Sequence, residues 1–247
     1  MNTTHPKAIA TAVELRSRKY IGRTVGALLL LHFATGLIVP FVLLDRVRGD
    51  AGFLENAAAN PAPLRAAVLL LFVGSAIAIA ISIRVLPVLG RHGAGAALGL
   101  VAISVAAFSL QAVDNGALLS LLSLSERYAT ADAGEAELVR ALDLVVGSAR
   151  RWAHFVALLV LGSWILGLFG LLYRARLVPR PLAIFGVAGS LLQITGVPLG
   201  AILGYTPDPR WAMPLAPAYV AMAVWLMARG FPEQRSPELA AGRGAVR

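Results

Sequence analysis

The sequence contains no cysteine, few charged residues and no recognisable catalytic signature. None of its 247 residues is a cysteine, so disulfide bonds, thiolate nucleophiles and cysteine-ligated metals are excluded. Charged residues make up 14% of the chain, against about 25% in ordinary soluble domains. The zinc-protease pattern HExxH, a diphosphate-binding DxxxD pair, a Walker glycine loop and the GxSxG elbow are also missing from the sequence. No reaction class is therefore indicated by a local motif.

Long apolar segments dominate what is present. Hydrophobic residues account for 58% of the chain and the mean hydropathy is +0.75. Segments of membrane-spanning length recur between short polar connections. They predict an all-α, polytopic membrane bundle with six transmembrane helices, at residues 24–44, 64–83, 95–123, 152–173, 181–204 and 212–228.

The polar segment 124–151 differs from the other connections. Acidic and basic residues alternate along it, while Leu138, Leu142, Val145 and Ala149 recur at helical spacing. This pattern is typical of an amphipathic helix lying in the membrane interface, so the sequence predicts one extracytoplasmic interfacial helix at 133–149. Glycines near both of its ends allow it to move as a lid, but ordinary loop and helix-end chemistry explains these glycines equally well.

The positive charges predict the orientation of the chain. The net charge is +9, but its basic residues are dispersed among apolar segments, which argues against nucleic acid as a partner. Fourteen of the 22 lysines and arginines fall in the two terminal segments and the second and fourth connections. The positive-inside rule then places both termini in the cytoplasm. The expected parts are a basic segment at 1–23, a membrane domain at 24–228 and a disordered tail at 229–247.

The third span carries a polar cluster near its middle. Gln111, Asp114 and Asn115 are three and four residues apart, so a helix places them on one face. A carboxylate at the centre of a membrane helix costs about 2.5–3.5 kcal/mol, which makes Asp114 a candidate for a site. Two interpretations remain open. Asp114 either holds the bundle together through hydrogen bonds, or binds and releases a proton or contacts a bound molecule.

Other polar residues lie at a similar depth when residues are counted inward from the outer end of each span. Thr35, Gln193 and Thr195 fall within a few ångströms of the depth of Asp114, which is roughly 14 Å from the outer boundary. The sequence therefore predicts a polar layer built from spans one, three and five that binds a small or lipid-like molecule. Pro198 is expected to break the fifth span and free the carbonyl of Ile194, a feature of helices that line cavities.

Two histidines in the apolar segments are candidate catalytic partners of Asp114. His32 is expected somewhat deeper than Asp114, and His154 close to the outer surface, about 5 Å inside the span. Haem held by both imidazoles would need them at nearly equal depth, whereas the counts separate them by more than about 10 Å. No cofactor and no metal site is predicted.

The expected partners follow from the same patterns. The lipid bilayer surrounds the bundle, and a small-molecule or lipid ligand is a candidate. Gly196, Gly200 and Gly204 recur every four residues and could receive a helix of another chain. Four functions remain open: binding a ligand around Asp114, proton-coupled transport of a small solute, catalysis on an apolar substrate with Asp114 as the acid, and a structural or sensory role.

Three stretches of the chain resemble a known family. They read SLQAVDNGALLSLLSL in the third span, RRWAHFVALL at the start of the fourth, and LLYRARLVPRPLAIFGVAGSLLQITG at residues 171–196. Over roughly residues 20–230 the chain is similar to the bacterial membrane proteins grouped as domain of unknown function 4386. The resemblance implies a six-helix integral membrane protein of bacterial type, expected in the inner membrane, and it implies no reaction and no catalytic residue.

Overall fold

A computed structural model describes residues 5–47 and 52–232, with the backbone alone for 5–16 and 46. The described residues form an all-α bundle, which confirms the predicted fold class. Its α-helices are α1 (His5–Ile38), α2 (Phe53–Ala59), α3 (Pro61–Tyr128), α4 (Ala133–Arg174), α5 (Arg180–Ile194), α6 (Gly200–Ile202) and α7 (Leu215–Arg229). Five helical segments of the described chain are long and apolar enough to cross a membrane.

Helix α3 supplies two of the six predicted spans because it folds back on itself at Gly93. This glycine has φ 154° and ψ 93°, outside the helical region. Residues 61–92 and 94–128 form two antiparallel limbs, as the contact between the rings of Phe72 and Phe108 shows, with centroids 5.7 Å apart. The connection between the second and third predicted spans is therefore shorter than expected, since residues 84–92 remain helical.

The segment expected to lie in the interface is helical but is not a separate helix. Helix α4 runs without interruption from Ala133 through the fourth span to Arg174. It begins where the Asp132 carboxylate accepts a hydrogen bond from the backbone N–H of Glu135, at 2.9 Å. Arg127 then pairs with Glu135, and Arg140 with Tyr128, so α4 and the end of α3 continue side by side. An amphipathic pattern fits this antiparallel pair as well as an interfacial helix, since both leave one face polar.

Proline disturbs two of the helices. Residues Thr195–Leu199 form a π-helical turn that contains Pro198. Proline lacks an N–H group and its ring collides with the carbonyl four residues earlier, so the regular hydrogen-bond ladder cannot continue. The irregularity predicted for the fifth span is present. A second π-helical turn, Val39–Leu43, follows α1 and contains Pro40.

The start of the predicted tail packs against α1. Gly230 has φ 67°, and a Cβ atom at this position would lie 2.6 Å from the carbonyl oxygen of Lys19. Phe231 is only 1% exposed, and a Cβ atom on Gly22 would lie 2.4 Å from its backbone nitrogen. The end of α7 is thereby closely packed on α1. The remainder of the predicted tail, from residue 233 onward, lies outside the described residues.

Candidate functional site

Asp114 is almost completely buried on the second limb of α3, with 1% of its side chain exposed. Its neighbours on the same helix are the two predicted from spacing. Gln111 donates from Nε2 to Oδ2 of Asp114 at 3.1 Å and to Oδ1 of Asn115 at 3.0 Å. One amide therefore joins all three polar side chains, as expected for residues on one face of a helix.

Two basic side chains of α4 complete the surroundings of Asp114. Nδ1 of His154 lies 3.1 Å from Oδ2, and Nε of Arg150 lies 3.6 Å from Oδ1. Both reach the carboxylate because they are four residues apart on α4. The 3.6 Å separation is an ion pair without hydrogen-bond geometry, and Oδ1 of Asp114 accepts no hydrogen bond within the described chain. The low dielectric of the bundle strengthens both attractions.

Asn115 anchors this cluster to the other limb of α3. Its Nδ2 donates to the carbonyl oxygen of Val68 at 3.2 Å, and the residue is fully buried. A backbone carbonyl in a helix has a second lone pair that can accept such a bond. The bond links two residues that are 47 positions apart in the sequence, and it therefore fixes the register of the two limbs.

A pocket of about 290 Å³ adjoins the cluster. Its polar lining is basic, from Arg150, Arg151 and His154, and its other walls are mostly apolar. The lining residues are Phe53, Leu121, Gly147, Arg150, Arg151, His154 and Phe155. Guanidinium groups at the edge of an apolar cavity are suited to carboxylate or phosphate, because their paired N–H groups match the oxygen atoms of these anions.

A family profile matches residues 24–230, most of the chain. The chain belongs to the DUF4386 family. The family is described as a domain of unknown function, and the match agrees with the resemblance seen in the sequence. No curated protein and no solved structure matches the chain. With its apolar helices, this DUF4386 member is a multi-pass integral membrane protein.

His154 lies much closer to Asp114 than the depth counts predicted. The depth of His154 was counted from residue 152, the predicted outer end of the fourth span, and the depth of Asp114 from residue 123, the predicted outer end of the third. The helices of this DUF4386 protein instead continue outward past both positions and turn only at residues 129–132. Counted from that shared turn, Asp114 lies nearly level with Arg150, and His154 lies one helical turn, about 6 Å, further along α4. The predicted ends of the spans therefore misplaced His154 on the outer side of Asp114 and hid the contact with Arg150.

The other residues of the predicted polar layer do not meet Asp114. Thr35 donates to the carbonyl of His32 on its own helix, at 2.7 Å. Thr195 donates to the carbonyl of Leu191 at 2.8 Å. Gln193 lies against α4, where a Cβ atom on Gly162 would be 2.7 Å from its Oε1 atom. The predicted common depth was wrong for Gln193, because Gly162 lies twelve residues, or about 18 Å, along α4 from Arg150.

His32 belongs to a separate aromatic cluster. Its Nδ1 atom and the hydroxyl of Tyr219 are 3.0 Å apart, and its ring lies 5.4 Å from that of Trp164. Trp164 is ten residues beyond His154 on α4, a rise of about 15 Å. The structure does not bring His32 to Asp114, so of the two candidate catalytic histidines only His154 adjoins the carboxylate.

The three glycines proposed as a helix-packing face occupy dissimilar positions. A Cβ atom on Gly196 would lie 2.2 Å from the ring of Trp211, so a side chain of the same protein already covers it. Gly200 faces the carbonyl of Thr195, and Gly204 has φ 84° beyond the end of α6. The π-helical turn shifts the register of these residues, so their four-residue spacing no longer defines one face.

Proposed function

We propose that this membrane protein binds an amphiphilic molecule whose anionic group lies in the basic pocket beside Asp114. The observation that carries the proposal is the shared position of Arg150, Arg151 and His154 on one pocket with apolar walls. Asp114 lies against Arg150 and His154, on the buried side of these groups. A bound carboxylate or phosphate would accept hydrogen bonds from the guanidinium groups on the side of the pocket.

The walls of the pocket favour an amphiphile over a simple ion. Phe53, Leu121 and Phe155 offer apolar surface next to the basic groups. Binding that surface gains about 25 cal/mol for each Å² of apolar area removed from water. Anionic lipids and fatty acids combine both parts, and basic groups near a membrane surface attract such head groups by about 1 kcal/mol each.

Asp114 acts in this proposal through the residues that it positions. Its carboxylate lies near both Arg150 and His154 and is too deeply buried to meet a ligand in the pocket. Fixing these two side chains before binding lowers the entropy cost of ordering them. From the distribution of basic residues, we place the termini in the cytoplasm and this pocket on the opposite side of the membrane. The resemblance to bacterial membrane proteins supports an inner membrane as its location.

Native mass spectrometry of the purified protein tests the proposal with three probes. Dioleoylphosphatidylglycerol has the anionic head group, dioleoylphosphatidylcholine has a neutral one, and inorganic phosphate lacks acyl chains. We expect the anionic lipid to bind about tenfold more tightly than the neutral lipid, which corresponds to one charge-assisted contact. Phosphate binding as tightly as the anionic lipid would show that the site recognises the anion alone.

Matched arginine variants connect the binding to this pocket. Arg150→Gln and Arg151→Gln should each weaken anionic lipid binding severalfold, whereas Arg210→Gln should not. Arg210 is a suitable control because it is highly exposed and pairs with Asp208 far along the chain. An equal loss of affinity in all three variants would show that lipid binding depends only on the overall charge of the protein, and the proposal would be wrong.

A second candidate function, catalysis, is favoured by the contact between His154 and Asp114. A carboxylate at Nδ1 can hold an imidazole in one tautomer and leave Nε2 to act as a general base. Incubating the protein with the lipid extract of its expression host tests this candidate. A product that forms with the wild type and not with His154→Ala supports it. If no product forms, catalysis on these lipids is contradicted and ligand binding remains the proposed function.

A further inference from the structure

A second cavity lies further along α4 than the basic pocket, since Leu161 and Ile165 line it. It has a volume of about 410 Å³ and is bounded by α1, α4, α5 and α7 with the short turn before α7. This volume is at the small end of the range for ligand cavities, roughly 300–1,000 Å³. Phe33, Ile165 and Met213 are among its mostly apolar lining residues. Its few polar groups therefore decide what it can hold.

Gln193 supplies an amide at this cavity that its protein neighbours leave incompletely bonded. The residue lines the cavity and is 9% exposed, and its Oε1 atom accepts no hydrogen bond from the described residues. Buried amides normally find partners, because an unpaired oxygen loses its hydrogen bonds to water without replacement. A half-turn about the terminal bond exchanges the oxygen and the nitrogen, so the amide can present either an acceptor or a donor.

His32 provides a second polar group on the same lining. Its imidazole makes one hydrogen bond in the described part of the chain, through Nδ1 to the hydroxyl of Tyr219. Whichever tautomer is present, the other ring nitrogen has no protein partner there. Two incompletely bonded polar side chains thus border one apolar cavity. A hydroxyl group fits this pair, because it can donate and accept at once.

We infer that this cavity binds an uncharged, membrane-soluble alcohol whose hydroxyl pairs with the amide of Gln193. Among the described residues, no Asp, Glu, Lys or Arg lines this cavity, which argues against the anion recognition proposed for the other pocket. Gln193 packs at Gly162 on α4, eight residues beyond His154, which separates the two sites by about 12 Å along the helix. The inference therefore stands or falls independently of the proposed binding at Asp114.

Photolabelling of the purified protein tests the inference. The probe is dodecanol with a diazirine in its chain, and its methyl ether is the control because it cannot donate a hydrogen bond. Peptide mapping should place the label on residues of the cavity, including the segment around Met213. We expect the alcohol to label about tenfold more than the ether, as for the loss of one buried hydrogen bond. Equal labelling by the two probes would overturn the inference, as would a cavity that neither probe labels.

A variant pair separates ligand binding from folding. Gln193→Leu removes the amide and should reduce alcohol labelling about tenfold, while the thermal unfolding temperature stays the same or rises because the unpaired oxygen is gone. Gln111→Leu makes the same substitution at the Asp114 cluster and should leave alcohol labelling unchanged. Undiminished labelling of the Gln193 variant would contradict the proposed contact. Ala216→Phe, which fills the cavity from α7, should abolish labelling by both probes.

Discussion

Nδ1 of His154 lies 3.1 Å from Oδ2 of Asp114, across the contact between α3 and α4. The histidine side chain is 43% exposed, whereas the carboxylate is 1% exposed. Asp114 thus has little access to solvent of its own, and its basic partners on α4 provide the attraction that offsets the cost of its burial. The pair also links the polar cluster of one helix to the basic pocket on the next.

A double-mutant cycle should reveal this link as coupling between the two residues. We expect Asp114→Asn and His154→Ala each to lower the free energy of unfolding, and to do so less than additively when combined. The coupling should be about 1 kcal/mol, since residues in direct contact couple by roughly 0.5–3 kcal/mol and the histidine is partly exposed. Denaturant-induced unfolding in detergent micelles measures all four proteins.

The matched control for that cycle pairs Asp114→Asn with Gln193→Leu. The depth counts placed these residues in one layer, but Gln193 lies against Gly162 and shares no partner with Asp114. Their effects on the unfolding free energy should add to within about 0.5 kcal/mol. A coupling with Gln193 as large as that with His154 would contradict the separation of the two polar sites.

Asn115 should be more important for stability than its surface neighbours, because it joins the limbs of α3. Asn115→Leu removes the bond to the Val68 carbonyl and should cost about 1 kcal/mol, within the range measured for hydrogen bonds between membrane helices. Ser109→Ala is the control, since Ser109 is exposed and bonds only to its own helix. Similar unfolding free energies for both variants would show that the inter-limb bond contributes little.

The apolar pattern was sufficient to predict the spans, because a helix must satisfy its own backbone groups in a membrane. Helical periodicity likewise placed Gln111, Asp114 and Asn115 on one face, and the hydrogen bonds of Gln111 agree. Both inferences depend only on local geometry. The turn at Gly93 was also foreseeable, since glycine tolerates backbone angles that other residues avoid.

The partners of Asp114 could not be predicted in the same way. Depth counting depends on where a span ends, and the polar segment after residue 124 gave no boundary, because an upright helix and an interfacial one share the same amphipathic pattern. Equal counts from the ends of two spans also do not give equal depth when the spans end at different levels, as the packing of Gln193 at Gly162 shows. Gln193 and Thr35 were therefore placed with Asp114, while Arg150, which lies 3.6 Å from it, was not.

Gly93 should tolerate no side chain, although space surrounds it. Its φ of 154° disfavours any residue with a Cβ atom, so Gly93→Ala is expected to lower the unfolding free energy by about 1–3 kcal/mol. Gly90→Ala is the matched control, because no atom lies within 4 Å of a Cβ at either position and Gly90 is helical. The control should be neutral or stabilising by up to about 1 kcal/mol. If both substitutions have the same effect, the backbone angle at Gly93 does not constrain the turn.

The absence of cysteine makes the orientation directly measurable, since any introduced thiol is the only one in the chain. Thr130→Cys labels the exposed turn between α3 and α4, and Ser236→Cys labels the C-terminal segment outside the described residues. In intact spheroplasts a membrane-impermeant maleimide should modify the first and spare the second, while both react after lysis. This outcome would place the basic pocket toward the periplasm, where it would meet molecules from outside the cell or the outer leaflet. The reverse pattern would overturn the orientation inferred from the arginines and lysines and would place the pocket at the cytoplasmic leaflet.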